Sequence, residues 1–162
     1  MPEFLLQCQG TIHTLSTPWI MGILNSTPDS FYAGSRLNAP REAAERARAM
    51  LTSGARIIDI GGYSSRPGAD PVTPEQEWNR LKEVIPAVAE VLNDFPGSFI
   101  SVDTFRADIA DKALLAGAHW INDISGGNLD PEIFNVAATH RCPYIIMHMQ
   151  GDPSTMQLNP TY

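Results

Sequence analysis

Five times along this chain a short, largely apolar run ends in a polar or glycine-rich loop that gives way to a helical pattern or another loop. Residues 19–24 stop at Asn25, and residues 56–60 run into Gly61-Gly62. Residues 99–102 stop at Asp103-Thr104, residues 119–124 carry Asn122 and Asp123, and residues 143–147 lead into His148. Nearly continuous apolar runs of this length predict parallel strands, the first of them buried on both faces. Between them, Ala43, Ala47, Met50 and Leu51 share one face of a helix that starts at Pro40, and Gly54 follows as its cap. Thr73-Pro74-Glu75-Gln76 reads as a capping box for a second helix, with Trp78, Leu81, Ile85, Val88 and Leu92 as its stripe and a bend at Pro86. A third helix is expected over 106–116, closed by Gly117, and a fourth capped by Asp130-Pro131 and running to about Ala138.

Strands alternating with helices imply right-handed crossovers and a parallel sheet. All the polar groups follow strands and none follow helices, so they gather at one end, as at the functional end of a β/α barrel. The expected fold is therefore α/β: part of a (β/α)8 TIM barrel in one domain, with about five parallel strands and four helices. Residues 4–15, alternating loosely around Gln9-Gly10, predict an N-terminal hairpin that plugs one end. A closed eight-stranded barrel takes about 250 residues, and the chain has 162.

A formal charge of −7 leaves no basic stripe for nucleic acid, so an anionic substrate must be held by a few local cations. Cys8 and Cys142 lack metal-ligand spacing and are expected in the core of a cytoplasmic protein. No stretch is apolar and long enough to span a bilayer.

The polar strand ends admit two readings each. Asn25 and Asp29 either tie their own loop or bind a ligand. The stretch 61–68 brings glycines to a cation, Arg66, flanked by Pro67; it either forms a surface turn or lets backbone N–H groups and a guanidinium approach an anion. It lacks the lysine of a nucleotide phosphate loop. Asp103 either caps the next helix or accepts hydrogen bonds from a ligand, and Asn122, on the neighbouring strand, offers both donor and acceptor. Asp103 and Asn122 together suit a flat, nitrogen-rich heterocycle. His148, with no second histidine or cysteine near it in sequence, does not make a zinc site.

Taken in order, residues 21–31, 59–62, 64–68, 101–104, 121–124 and 147–151 resemble dihydropteroate synthase. That family condenses 6-hydroxymethyl-7,8-dihydropterin diphosphate with 4-aminobenzoate in folate synthesis and releases pyrophosphate. The resemblance implies that Asn25 helps to hold Mg2+ and the diphosphate, and that Asp103, Asn122 and Met147 line a pterin pocket. It also implies that Asp29 and Phe31, in a loop over 26–36, and Ser65, Arg66 and Pro67, in a loop over 63–70, belong to two mobile loops that close over the reacting centre. The family's first loop usually continues Asp-Ser-Phe-x-Asp-Gly, and here Ala33 takes the second aspartate's place. The family's later pterin-contacting aspartate, Lys-containing loop and Arg-x-His anion clamp have no counterpart in these 162 residues. The chain is accordingly expected to be an N-terminal portion, inactive by itself, that associates as a homo-oligomer through open sheet edges. Two other functions share the pattern: a pterin-binding methyltransferase domain and a non-catalytic pterin-binding module.

Overall fold

The computed structural model describes residues 3–26, 39–63, 72–151 and 155. The chain opens with the expected hairpin, β1 (Phe4–Cys8) and β2 (Thr11–Leu15), paired antiparallel from Phe4 against Leu15 to Cys8 against Thr11. Its two-residue turn holds Gln9 at φ 47 and Gly10 at φ 83. Tight hairpin turns require that left-handed pair, and glycine adopts it without strain.

Five parallel strands follow: β3 (Ile20–Asn25), β4 (Ala55–Gly61), β5 (Phe99–Asp103), β6 (Trp120–Asp123) and β7 (Tyr144–Ile146). The helical segments are α1 (Ala39–Thr52), α2 (Pro74–Leu81), α3 (Val84–Leu92), α4 (Ala107–Leu115) and α5 (Ile133–His140). The sheet order β3-β4-β5-β6-β7 is the order of the sequence. Each strand is added on the same side of its predecessor, so the winding never reverses as it does in a doubly wound sheet. This is the winding of a β/α barrel, of which the chain forms a part.

One face of the sheet meets the helices. Ile58, Ile60, Ile100 and Ile121 are fully buried there against Ala43, Leu81, Ile85 and Ile109. Each fully buried aliphatic side chain contributes roughly 1.5–3 kcal/mol, so this layer carries most of the fold's stability. The other face changes character along the strands. At their N-terminal ends Ile57, Phe99 and Trp120 form a second apolar cluster with Cys8 of the hairpin, and Trp19 stacks on Phe99 at 5.5 Å. Toward the C-terminal ends the same face becomes polar.

Several expectations are corrected. The first strand is not buried on both faces: it is a sheet edge, and Ile20 and Ile23 are 62 % and 66 % exposed. The second crossover is two helices, not one bent helix. Lys82 N–H still bonds the Trp78 carbonyl at 2.9 Å, but Pro86 has no N–H to give the carbonyl of Lys82, and the ladder breaks there. In α3 Pro86 falls in the first turn, where a missing N–H costs nothing. The second and third strands run longer than expected and take in Gly61 and Asp103, whereas the fourth and fifth are shorter, so that Met147 lies just past β7. Asp130 does not cap α5, whose N-cap is Glu132. It accepts Glu132 N–H at 3.3 Å and the Ala107 N–H at the start of α4 at 2.8 Å. Cys142 is half-buried and packs against the margin of the core.

His119 gives the fold a pH dependence. Its Nδ1 accepts the Ile100 N–H at 3.1 Å, and burial holds its pKa below the ordinary value of 6.5. As pH falls through that value the unfolded chain takes up the proton first. The stability contributed by the neutral ring is therefore present above about pH 6.5 and is lost as pH falls toward the lower folded-state value. His119→Gln keeps an acceptor for Ile100 but does not titrate. Urea unfolding across pH 4 to 7 should show a shallower acid limb for the variant; parallel curves would remove His119 from this role.

Candidate functional site

Parallel pairing places four residues in one row across the C-terminal end of the sheet. Asn25 of β3 is level with Gly61 of β4, Gly61 with Asp103 of β5, and Asp103 with Asn122 of β6. Side chains alternate faces along a strand, and this row is the polar end of the face that the hairpin covers below. Gly61 leaves a gap in the row. A Cβ there would lie 3.4 Å from Asp103 Oδ2 and 3.5 Å from Asn25 Oδ1, so its absence opens the space between the two oxygens.

A second polar row lies two residues earlier, where Asp59 of β4 is level with Ser101 of β5. Both are buried. Asn122 donates its side-chain N–H to Asp59 Oδ2 at 3.0 Å. Asp59 Oδ1 and the Ser101 hydroxyl have no hydrogen bond of good geometry among the described residues. Buried polar atoms without partners are uncommon in native folds and mark places where a water or ligand is due.

The electrostatics are one-sided. Burial pushes the Asp103 carboxyl from 3.8 to about 7, and the negative neighbours Asp59, Glu77 and Asp123 push it the same way. Burial also raises Asp59, against the opposing pull of the Ser101 hydroxyl beside it and of the Asn122 N–H. A carboxyl raised this far, with no ion pair to a cation among the described residues, suits a ligand that brings its own N–H donors. Asp103 does not cap the next helix; Thr104 Oγ1 takes the Arg106 N–H at 3.2 Å instead. Asp123, beside Asn122, is accounted for structurally. It accepts Ser125 N–H and Gly127 N–H at 2.7 Å each, and the Tyr144 hydroxyl.

The stems of the neighbouring loops are braced by residues that the sequence reading did not single out. Glu77 of α2 is 0 % exposed. It receives the Thr104 hydroxyl at 2.7 Å and is ion-paired with Arg106. The same guanidinium donates to the Val72 carbonyl at 2.7 Å and lies 5.4 Å from the Tyr63 ring centre. One side chain therefore touches the residues flanking 64–71. Arg80 donates to the Gly62 carbonyl at 2.8 Å, and Ser26 Oγ donates to the Arg80 carbonyl at 2.9 Å. A Cβ at Gly62 would come within 3.1 Å of both the Glu77 side chain and the Glu77 carbonyl, so glycine lets α2 approach this closely. The sequence did hold a signal for Glu77, which sits four residues before buried Leu81 and so on its face of the helix.

Of the expected site residues, Asn25, Asp103 and Asn122 come together, and Met147 lies at the same end with its N–H on the Asp123 carbonyl at 3.2 Å. Asp29, Phe31, Ser65, Arg66 and Pro67, and with them the two expected closing loops, fall outside the described residues, as does Ala33. Among the described residues no three His, Cys, Asp or Glu side chains cluster as a metal cage, and no helix is long and apolar enough to cross a membrane.

Known proteins match this arrangement. The family model described as "Pterin binding enzyme" matches residues 21–162. A dihydropteroate synthase from Synechocystis is 50 % identical over 139 residues, covering 86 % of this chain and 47 % of that protein. One from Escherichia coli K12 is 45 % identical over 157 residues, covering 97 % of this chain and 54 % of its own length. The crystal structure of Xanthomonas albilineans dihydropteroate synthase with 4-aminobenzoic acid superposes with a TM-score of 0.82 at 36 % identity, over 99 % of this chain and 55 % of that one. The chain thus spans about half the length of the curated relatives it matches.

Proposed function

Because this chain belongs to the pterin binding enzyme family, we propose that it forms the pterin-recognising part of a dihydropteroate synthase. The observation that carries this reading is the row Asn25–Gly61–Asp103–Asn122, open at Gly61 and bordered by carboxylates that no cation pairs among the described residues. A pterin's amino group and ring N–H are adjacent donors. Asp103 accepts them with two oxygens, and the bond formed is charge-assisted. Binding of such donors favours the ionised carboxylate and draws its pKa down from about 7.

The proposed reaction breaks the bond between the pterin methylene carbon and the diphosphate oxygen. The nitrogen of 4-aminobenzoate then bonds to that carbon, and a proton leaves the nitrogen. Pyrophosphate departs with the electrons of the broken bond. Such a step needs a held leaving group and exclusion of water more than a strong base. In this proposal Asp29 and Phe31 in one loop, and Ser65, Arg66 and Pro67 in the other, meet the reacting centre and the aminobenzoate. Met147 covers the pterin.

Mg2+ is compatible with the residues present. It keeps several waters and binds through one or two protein oxygens together with substrate phosphates, not through an all-protein cage. Asn25 Oδ1, beside the opening at Gly61, is the oxygen that would hold it. Bound there, Mg2+ would neutralise charge on the diphosphate oxygens. We further propose a cytoplasmic protein that associates with itself, supported by exposed Ile20, Ile23 and Ile146 on the two outer strands of the described sheet.

The test is calorimetry with 6-hydroxymethylpterin and its diphosphate, each with and without Mg2+. The synthase reading expects Mg2+ to raise affinity for the diphosphate about tenfold or more and to leave the bare pterin unchanged, since one charge-assisted contact is worth roughly that factor. Pterin binding indifferent to both diphosphate and Mg2+ would favour a methyltransferase domain or a binding module.

A further inference from the structure

Asp59 is placed to act on ligand recognition without sitting in the row that meets the ligand. It is 5 % exposed and lies one layer below Asp103 and Asn122 on the same face of the sheet. Its Oδ2 receives the Asn122 side-chain N–H at 3.0 Å. With Oδ2 of Asp59 as the acceptor, the amide turns its nitrogen toward Asp59 and its oxygen away. An asparagine without such a partner can flip by half a turn and exchange donor for acceptor. From this contact we infer that Asp59 is a positioning residue that locks the Asn122 amide with its oxygen toward the open end of the row. Asn122 and Asp103 then form neighbouring acceptors that select a heterocycle edge carrying adjacent N–H donors. The inference rests on the pterin-binding reading for the identity of that heterocycle.

Two measurements on the full-length protein test it. In a double-mutant cycle with 6-hydroxymethylpterin as the probe, Asp59→Asn should lower affinity about tenfold in the parent, the scale of one oriented hydrogen bond. In an Asn122→Ala background the same change should cost less than twofold, because there is no amide left to orient. Equal losses in both backgrounds would overturn the inference. Asp59→Asn exchanges a buried carboxylate for an amide of the same shape, and its melting temperature reports any failure to fold.

The second measurement uses no ligand. In the NMR spectrum of the unliganded parent, one Asn122 side-chain amide proton should be shifted downfield and protected from exchange, and both features should vanish in Asp59→Leu, which offers no acceptor. An Asn122 amide that exchanges freely in the parent, or is unchanged in the variant, would overturn the inference. A parent that shows the held amide yet binds no pterin would overturn the proposed function and leave the positioning role standing.

Discussion

Asp103→Asn is expected to weaken pterin binding about 10- to 100-fold and, at neutral pH, to leave the protein more stable than its parent. The first effect follows from the ligand: an amide in place of the carboxylate must aim its own donor at a pterin N–H, and a charge-assisted hydrogen bond worth roughly 1.5–3 kcal/mol is lost. The second follows from Asp103's raised pKa, 3.8 in the ordinary case against about 7 in the fold. Between those values the unfolded chain has already released its proton while the folded one keeps it, so stability falls as pH rises from about 4 to about 7 and stays low above. Asparagine carries no such penalty. The full shift corresponds to up to roughly 4 kcal/mol, and the partial exposure of Asp103 reduces the expected gain to about 1–2 kcal/mol. Calorimetry and denaturant unfolding of the same samples give both halves. A folded variant that keeps the parent's affinity would remove Asp103 from the pocket, and a stability gap that does not open between pH 4 and 7 would refute the electrostatic account.

Glu77→Ala should destabilise the protein by about 3–5 kcal/mol, because it strands the Arg106 guanidinium beside a cavity and leaves the Thr104 hydroxyl without its acceptor. Removing both charges with apolar side chains of similar volume, as in Glu77→Leu with Arg106→Met, should cost less than Glu77→Ala alone. The reason is that a buried pair largely repays its own desolvation, whereas a lone buried charge does not. Chemical denaturation of the two variants decides the matter. A loss under about 1 kcal/mol for Glu77→Ala would mean that water reaches the pair and that the brace on Tyr63 and Val72 is weak.

The sequence made the row legible because strand periodicity is strict. Once 99–102 and 119–124 read as parallel strands, Asp103 and Asn122 had to arrive at one end. The winding was also legible, since helical stripes such as Leu81, Ile85 and Val88 left little else to alternate with the strands. What escaped was everything set by tertiary distance. Asp59 entered only as part of the 59–62 stretch, and nothing local shows that Asn122, 63 residues later, donates to it. Glu77 was not singled out, because its burial depends on Arg106 arriving from the following β/α unit. The burial of the first strand was misjudged for a related reason: apolar composition reports what a strand can tolerate, not whether a neighbour covers it, and Ile23 stands uncovered at an edge.

The alternation that builds the row also guards the assembly of the sheet. A slip of β5 by one residue would turn Asp103 into the layer occupied by Ile100 and Val102, both 0 % exposed, and bring Val102 to the open end. A carboxylate forced among aliphatic side chains without a partner costs several kcal/mol, and a one-residue slip inverts every side chain on the strand at once. Asn122, a neutral amide, imposes a smaller penalty of the same kind on β6. The groups that would recognise a ligand therefore also fix strand register, whether or not a ligand is present, because a slipped pairing carries their burial cost.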